Sequence, residues 1–321
     1  MAHALITGIA GQDGWYLARQ LLAAGDTVVG LSRDATRAGQ AFPDAGPHLV
    51  IRPFDYAAPG AIAAVIAEEA PDRIFNLAAF ATGQGMFDAP LDMVRLNGVF
   101  VLEILEALRH SSRRDAIRLV QASSSEMFGA VTETPQDERT PLRPNSPYGA
   151  AKQFAHTMVG VYRQTFGVCA SSAILFNHES VRRSADFVTM KIARGAARIK
   201  AGLGSQLSLG SLDVARDWGY APDYMEAFRR IADAPDAEDF VVATGRLSTI
   251  RDVAKFAFDR VGLDWEKFVI VDQRLVRPIE SIGLCGNSDK IAERLGWTAT
   301  LGLKAIIEEM VDHQIALAAA G

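Results

Sequence analysis

Tyr148 and Lys152 lie four residues apart, a spacing that on a helix puts both side chains on one face, one above the other. A phenol beside an ammonium can act as a base. The positive charge stabilises phenolate, lowers a tyrosine pKa from about 10 towards neutrality, and so equips the oxygen to take a proton from a substrate hydroxyl. Taken alone, the pattern equally describes the start of an amphipathic helix with a half-buried tyrosine. Two other groups favour the chemical reading. Ser123, Ser124, Ser125 and Glu126 follow an apolar stretch over 117–122; a hydroxyl there can bind a reacting oxygen, and a carboxylate can abstract a carbon-bound proton. Gly8, Gly11 and Gly14 form GxxGxxG after the apolar run 4–7, with Gln12 and Asp13 inside the turn. Glycines so placed let the backbone approach a pyrophosphate at the positive end of the next helix.

The residues after the second apolar run bear on which dinucleotide fits. An acid there would hold the adenine-ribose 2′-hydroxyl of NAD, but this chain has Ser32 and Arg33, with Arg37 following, and arginine suits a 2′-phosphate. NADP is therefore favoured over NAD. Against it stand Asp34, whose charge would repel the phosphate, and the reading of Arg33 as an ordinary solvated arginine. Asp55 has the type to accept from an adenine amino group, and equally the type of a plain turn residue.

These residues can act together only if the fold brings them to one edge. Residues 4–7, 28–31, 74–77 and 117–122 read as strands. Between them run helices marked by Leu17, Leu21 and Leu22 up to Gly25, by 61–70 before Pro71, and by 92–110. That alternation predicts an α/β fold with a doubly wound parallel sheet buried on both faces, which binds ligands at the carboxyl edge of its strands. Residues 132–147, with four prolines, interrupt the rhythm as a long surface loop. A helix over 148–166 closed by Gly167 and a strand over 168–175 complete the sheet. Beyond Phe176, helices near 187–201, 222–234, 249–261, 289–295 and 303–317 read as a smaller lobe, while 241–244 reads as a strand returning to the main sheet. The expected division is a Rossmann-type NADP-binding domain over 1–178 and a mainly substrate-binding lobe over 179–321, with part of 213–245 returning to the sheet.

Composition removes other classes. Of 321 residues, 49% are hydrophobic and 22% charged, the balance of a globular protein. A net charge of −5 leaves no general positive field for nucleic acid. Cys169 and Cys285 are far apart and unclustered, which argues against a disulfide framework or metal site and for a reducing cytoplasm. No apolar run approaches the ~18 residues of a membrane span, and no signal-peptide pattern opens the chain.

Together GxxGxxG, SSxE and YxxxK resemble the extended short-chain dehydrogenase/reductase superfamily. Longer stretches are similar to the GDP-mannose 4,6-dehydratase family: 5–14, 121–129, Ser146-Pro147-Tyr148 through Lys152, Phe176-Asn177-His178-Glu179-Ser180, Arg216-Asp217-Trp218-Gly219, Arg277-Pro278-Ile279-Glu280 and Leu295-Gly296-Trp297. The resemblance implies an internal redox cycle in which bound NADP oxidises carbon 4 of the sugar and returns the hydride to carbon 6 as water leaves. Tyr148 would be the base at the 4-hydroxyl, Lys152 its electrostatic helper, Ser124 the hydrogen-bonding hydroxyl and Glu126 the dehydrating acid/base. Gly8, Gly11, Gln12, Asp13, Gly14, Arg33, Asp55, Leu77, Ala78, Ala79, Lys152, His178 and Arg183 would contact the cofactor. Asn177, Lys191, Arg216, Arg277 and Glu280 would join Ser124, Glu126 and Tyr148 around the nucleotide-diphosphate sugar. A homodimer or homotetramer is implied.

The chain departs from the family pattern at Phe80 to Met86, where a sugar-facing serine is expected and Thr82 is the nearest hydroxyl, at Asp34, where a second basic residue is expected, and at Asp92, where a tyrosine is expected. These changes surround the hexose and the adenine phosphate, so a close GDP-sugar such as a GDP-heptose stands beside GDP-mannose. A reductase or epimerase on a related nucleotide sugar would lack Glu126, and a non-catalytic nucleotide sensor would need neither Tyr148 nor Lys152.

Overall fold

The computed structural model describes residues 1–81, 87–276 and 283–320. Its strands are β1 (His3–Thr7), β2 (Thr27–Ser32), β3 (Leu49–Pro53), β4 (Arg73–Asn76), β5 (Arg118–Ser124), β6 (Ala170–Leu175), β7 (Asn177–Glu179), β8 (Leu207–Leu209), β9 (Ala215–Tyr220), β10 (Asp239–Val242), β11 (Leu247–Thr249) and β12 (Val269–Val271). The helices are α1 (Gln12–Ala23), α2 (Ala35–Gln40), α3 (Ala61–Glu69), α4 (Pro90–Val94), α5 (Phe100–His110), α6 (Pro147–Phe166), α7 (Val188–Lys200), α8 (Ala221–Asp233), α9 (Ile250–Arg260), α10 (Asp289–Leu295) and α11 (Leu303–Ala320).

Seven strands form the main sheet in the order β10-β6-β5-β4-β1-β2-β3, all in parallel register. Chain order reverses between β1 and β4, and the crevice above that point is where such sheets take ligands. The sheet is apolar on both sides because helices cover both. Ile6, Phe75 and Val120 pack with Leu17 and Leu21 of α1 and Phe228 of α8 on one face. Leu5, Ile74 and Leu119 pack with Ile62, Ile104 and Val159 of α3, α5 and α6 on the other. A separate core joins α7, α9 and α11 through Ile192, Phe258 and Ile307. The strand expected to return does so as β10, paired with β6 from Asp239↔Ser172 to Val242↔Leu175. Ile291 of α10 and Trp297 also pack on the main sheet, where the sequence reading had put 289–295 in the smaller lobe.

Besides the short strands β7, β8, β9, β11 and β12 outside the main sheet, two elements of the first half were not anticipated. β3 is a half-exposed edge strand ending in Pro53, a short run without clear alternation, and its edge position tolerates a residue with no N–H. α2 follows β2 because the Asp34 carboxylate caps it, accepting from Arg37 N at 2.9 Å. The single helix expected over 92–110 is α4, one π turn over Arg95–Val99, and α5. The extra residue in that turn aims Asn97 inward, where its side chain accepts from Phe80 N at 3.1 Å and donates to Phe80 O at 3.0 Å. Residues 132–147 are mostly irregular, as expected, and held down: Gln136 N donates to Cys285 O at 2.8 Å, and Val241 N donates to Glu138 Oε1 at 2.7 Å.

Candidate active site

β1 ends in a turn that only glycine permits. Gly8 has φ +74°, and a Cβ there would lie 2.8 Å from Ala78 N; a Cβ on Gly14 would lie 2.4 Å from Gly8 O and 2.6 Å from Ile9 Cα. Close packing against Ala78, at the end of β4, leaves the N-terminus of α1 pointing into the crevice. The turn is fastened from a third side by Tyr56, whose hydroxyl accepts from Gly8 N and donates to Leu31 O, both at 2.9 Å. Free first-turn N–H groups beside a glycine backbone fit a dinucleotide pyrophosphate.

From this turn a cavity of about 300 Å³ runs along the carboxyl edge past Asp13, Leu77 and Ala79 to Ser124, Glu126, Tyr148 and Lys152, and on to Asn177, Lys191 and Arg216. Two local devices set its catalytic end. Ser124 ends β5 and caps a single 3-10 turn, its Oγ accepting from Glu126 N at 3.2 Å. Ser146 caps α6 by accepting from Gly149 N at 3.1 Å, Pro147 opens the helix, and Gly167 closes it in the left-handed conformation. Gly149 is where the two meet: a Cβ on it would lie 2.5 Å from Glu126 O. That contact sets Tyr148 beside Glu126.

Lys152 is 2% exposed and its Nζ donates to Ala122 O at 2.8 Å. Burial pushes its pKa down to about 8, with the Asp13 carboxylate opposing the shift. The Tyr148 ring centroid is 5.8 Å from Nζ. Tyr148 departs from the sequence-based expectation of a lowered pKa: burial pushes it up to about 12, the Glu126 charge adds to that rise, and a hydrogen bond with Ser124 and the charge of Arg183 oppose it. Beneath the site lies a polar chain that the sequence reading missed. Thr7 Oγ1 donates to Asn76 Oδ1 at 2.5 Å, Asn76 Nδ2 to Gln121 Oε1 at 2.7 Å, and Gln121 Nε2 to Ala122 O at 2.7 Å. All three side chains are buried. The carbonyl that holds Lys152 is thus tied to β1 and β4. Polar residues placed just before the ends of three apolar strands were the available signal.

On the far wall, β7 presents Asn177 and His178. The Arg183 guanidinium forms an ion pair at 3.1 Å with Glu179 and lies 3.5 Å from the Phe187 ring centroid. Glu179, also unanticipated, is itself bonded by Thr189 Oγ1 at 2.7 Å. Lys191 Nζ donates to Ser208 O at 2.7 Å. Arg216 is buried against the cavity and donates to Ala215 O at 3.0 Å, whereas Asp217 faces away and accepts from Thr244 N, Gly245 N and Gly286 N.

Arg33 and Asp55 do not line the cavity. Both are exposed beyond β2 and β3, and the Asp55 carboxylate accepts from Ala57 N at 2.9 Å, a turn contact. Gln12 and Asp13 direct their side chains to residues 178–180. Arg277, Glu280 and Thr82 lie outside the described residues. Among the described residues no group of three or more His, Cys, Asp or Glu is placed to hold a metal ion, and no helix is long and apolar enough to cross a membrane.

Residues 5–310 match the family described as GDP-mannose 4,6 dehydratase. GDP-mannose 4,6 dehydratase 1 of Arabidopsis thaliana is 39% identical over 328 residues, covering 98% of this chain and 90% of that one. The fold superposes on UDP-glucose 4-epimerase of Thermus thermophilus in complex with NAD (TM-score 0.84, 26% identity, 97% and 98% of the two chains). It also superposes on RMD of Pseudomonas aeruginosa complexed with NADPH (TM-score 0.82, 23% identity, 99% and 100%). The chain belongs to the GDP-mannose 4,6-dehydratase family.

Proposed function

We propose that the protein is an NADP-dependent GDP-mannose 4,6-dehydratase, a hydro-lyase, and that Ser124, Glu126, Tyr148 and Lys152 carry the reaction. The observation that carries the reading is that Glu126 lines the same cavity wall as Tyr148 and Lys152, which puts a carboxylate where a plain alcohol dehydrogenase needs none. NADP, held along the glycine turn from Gly8 to Gly14, would supply the two-electron chemistry that carbons 4 and 6 require. Tyr148 takes the proton of the 4-hydroxyl while Ser124 holds that oxygen. With carbon 4 a ketone, the carbon 5 proton is acidic enough for Glu126 to remove, and the acid so formed protonates the 6-hydroxyl, which leaves as water. The proton that Tyr148 took from the 4-hydroxyl is passed to carbon 5, which regenerates the phenolate and closes the cycle with no net oxidation.

The cofactor contacts of this reading are the backbone from Gly8 to Gly14, residues 77–79, Lys152, His178 and Arg183, with Arg33 at the 2′-phosphate. Asn177, Lys191 and Arg216, with Arg277 and Glu280, take the GDP moiety, since cations neutralise phosphates and a carboxylate accepts from vicinal hydroxyls. Residues 1–178 then serve the cofactor and 179–321 mainly the substrate, and the cytoplasm is the compartment that fits two free cysteines. A homodimer is supported by Leu91, Val94 and Val99 around α4 and by Phe154 and Val161 of α6, large apolar side chains between 41% and 82% exposed. The Phe154 ring would lie 3.2 Å from a Cβ on Gly98, so the two groups form one patch.

The test is to incubate the purified protein, without added reductant, with GDP-mannose and separately with other GDP-, UDP-, CDP- and dTDP-sugars, and to follow mass. Loss of one water from GDP-mannose alone is expected. Loss from a different sugar would mean that the segment from Phe80 to Met86 has redirected specificity, and no loss from any would contradict the reading.

A further inference from the structure

The first turn of α1 reaches across the crevice. Gln12 Nε2 donates to His178 O at 3.2 Å and to Asp13 Oδ1 at 3.1 Å, and Gln12 Oε1 accepts from Ser180 Oγ at 2.7 Å. Both oxygens of Asp13 lie 3.1 Å from His178 Nε2. The Arg182 guanidinium lies 4.3 Å from the Trp15 ring centroid. Three side chains at the start of one helix, Gln12, Asp13 and Trp15, thus engage residues 178–182, partners 165 to 168 positions away along the chain in the Gln12 and Asp13 contacts.

His178 is fixed from behind as well. Its Nδ1 lies 2.8 Å from Phe176 O, and its ring stacks on Tyr224 with centroids 4.8 Å apart. A carbonyl and an ionised carboxylate only accept, so both ring nitrogens are placed to donate, an arrangement that an imidazolium satisfies. Burial opposes that charge, but the Asp13 carboxylate outweighs it, holding His178 above its usual range and Asp13 below its own. The cation also neutralises a carboxylate that would otherwise stand at the anion-binding end of α1.

We propose that Gln12, Asp13, His178 and Ser180 are positioning residues that couple the cofactor site to the substrate site. This rests on the assignment of the glycine turn to NADP and of Asn177, which opens the segment running to Arg183, to the nucleotide sugar. A diphosphate that fixes the N-terminus of α1 also fixes that segment through the latch, and the second ligand then pays less ordering entropy. Linkage makes the effect reciprocal.

The full-length chain, freed of nucleotide, is titrated with NADPH by fluorescence with and without saturating GDP, and with GDP by calorimetry with and without NADPH. Each ligand is expected to tighten the other by the same factor, about 5- to 100-fold. In Ser180→Ala, and separately in Ser180→Val, that factor falls towards one while each ligand still binds alone. Latch residues with a merely structural role would lower Tm and weaken both ligands yet leave the factor intact, which would overturn the proposal, as would no coupling in the wild type. Should Ser180→Val fail to fold, Ser180→Ala decides. Failure of the wild type to bind NADPH or GDP at all would instead overturn the site assignment beneath the proposal.

Discussion

Tyr148 sits where burial works against the role proposed for it, with its pKa pushed up to about 12, so the phenol must give up its own proton before the phenolate can take the substrate's. Tyr148→Phe should therefore abolish oxidation at carbon 4, read as absence of NADPH absorbance and of product. Glu126→Gln keeps the shape and removes the base: NADP retention should be unchanged while water loss falls by a factor on the order of 10² to 10⁴, measured by mass spectrometry, and unchanged turnover would remove Glu126 from the mechanism. Lys152 carries a stability cost. Its folded pKa of about 8 lies below the ordinary lysine value, so the unfolded chain binds more protons between the two, and the cost is full below pH 8 and fades towards about pH 10.4. Lys152→Met should be inactive yet more stable at pH 7, by on the order of 2 kcal/mol, with the gain shrinking above pH 8 in denaturant titrations; a gain that does not change with pH would mean that the ammonium is not the cause.

At the scale of elements, the glycine turn and α6 decide the geometry. Gly14→Ala drives a methyl into Gly8 O and Ile9 Cα, so it should lower stability by more than 2 kcal/mol and release NADP on gel filtration; a variant that keeps both would show that the turn has slack. These two elements were legible in the sequence because their signals are local: glycine spacing after a strand, and a helical pattern from Tyr148 that Gly167 closes, although Ser146-Pro147, read as the end of the loop over 132–147, are the cap and first residue of that helix. What was not legible depends on contacts distant in sequence. Asn76 and Gln121 look like strand ends until β4 and β5 pair through Asn76↔Gln121, and Tyr56 looks like a loop aromatic until its hydroxyl meets Gly8 N. The π turn at Arg95–Val99 is invisible to a helical period because it adds a residue without changing composition. Asp34 was read as a charge opposing a phosphate; its carboxylate is occupied as the cap of α2. The pairing of Gln12 and Asp13 with His178 crosses more than half the chain, and no spacing rule announces it.

For the whole molecule, the sheet supplies the site, and the exposed apolar patch on α4 and α6 is the surface proposed for a homodimer. Phe154→Glu at its centre should turn a dimer into a monomer in sedimentation velocity; a wild-type monomer would contradict the patch as an interface. The α7, α9 and α11 core, distinct from the cores on the main sheet, backs the wall that carries Lys191. In the proposed function, substrate and cofactor meet between the separately packed cores of the main sheet and of α7, α9 and α11. The central claim is that the hydride leaving carbon 4 is the one that arrives at carbon 6, and its most direct test is to follow that hydrogen. GDP-mannose deuterated at carbon 4 is incubated with the protein and the product examined by NMR and mass spectrometry. Loss of one water with the deuterium retained at carbon 6, in the absence of external reductant, is the predicted result. A product that has lost the deuterium, or turnover that requires added NADPH, would contradict the account.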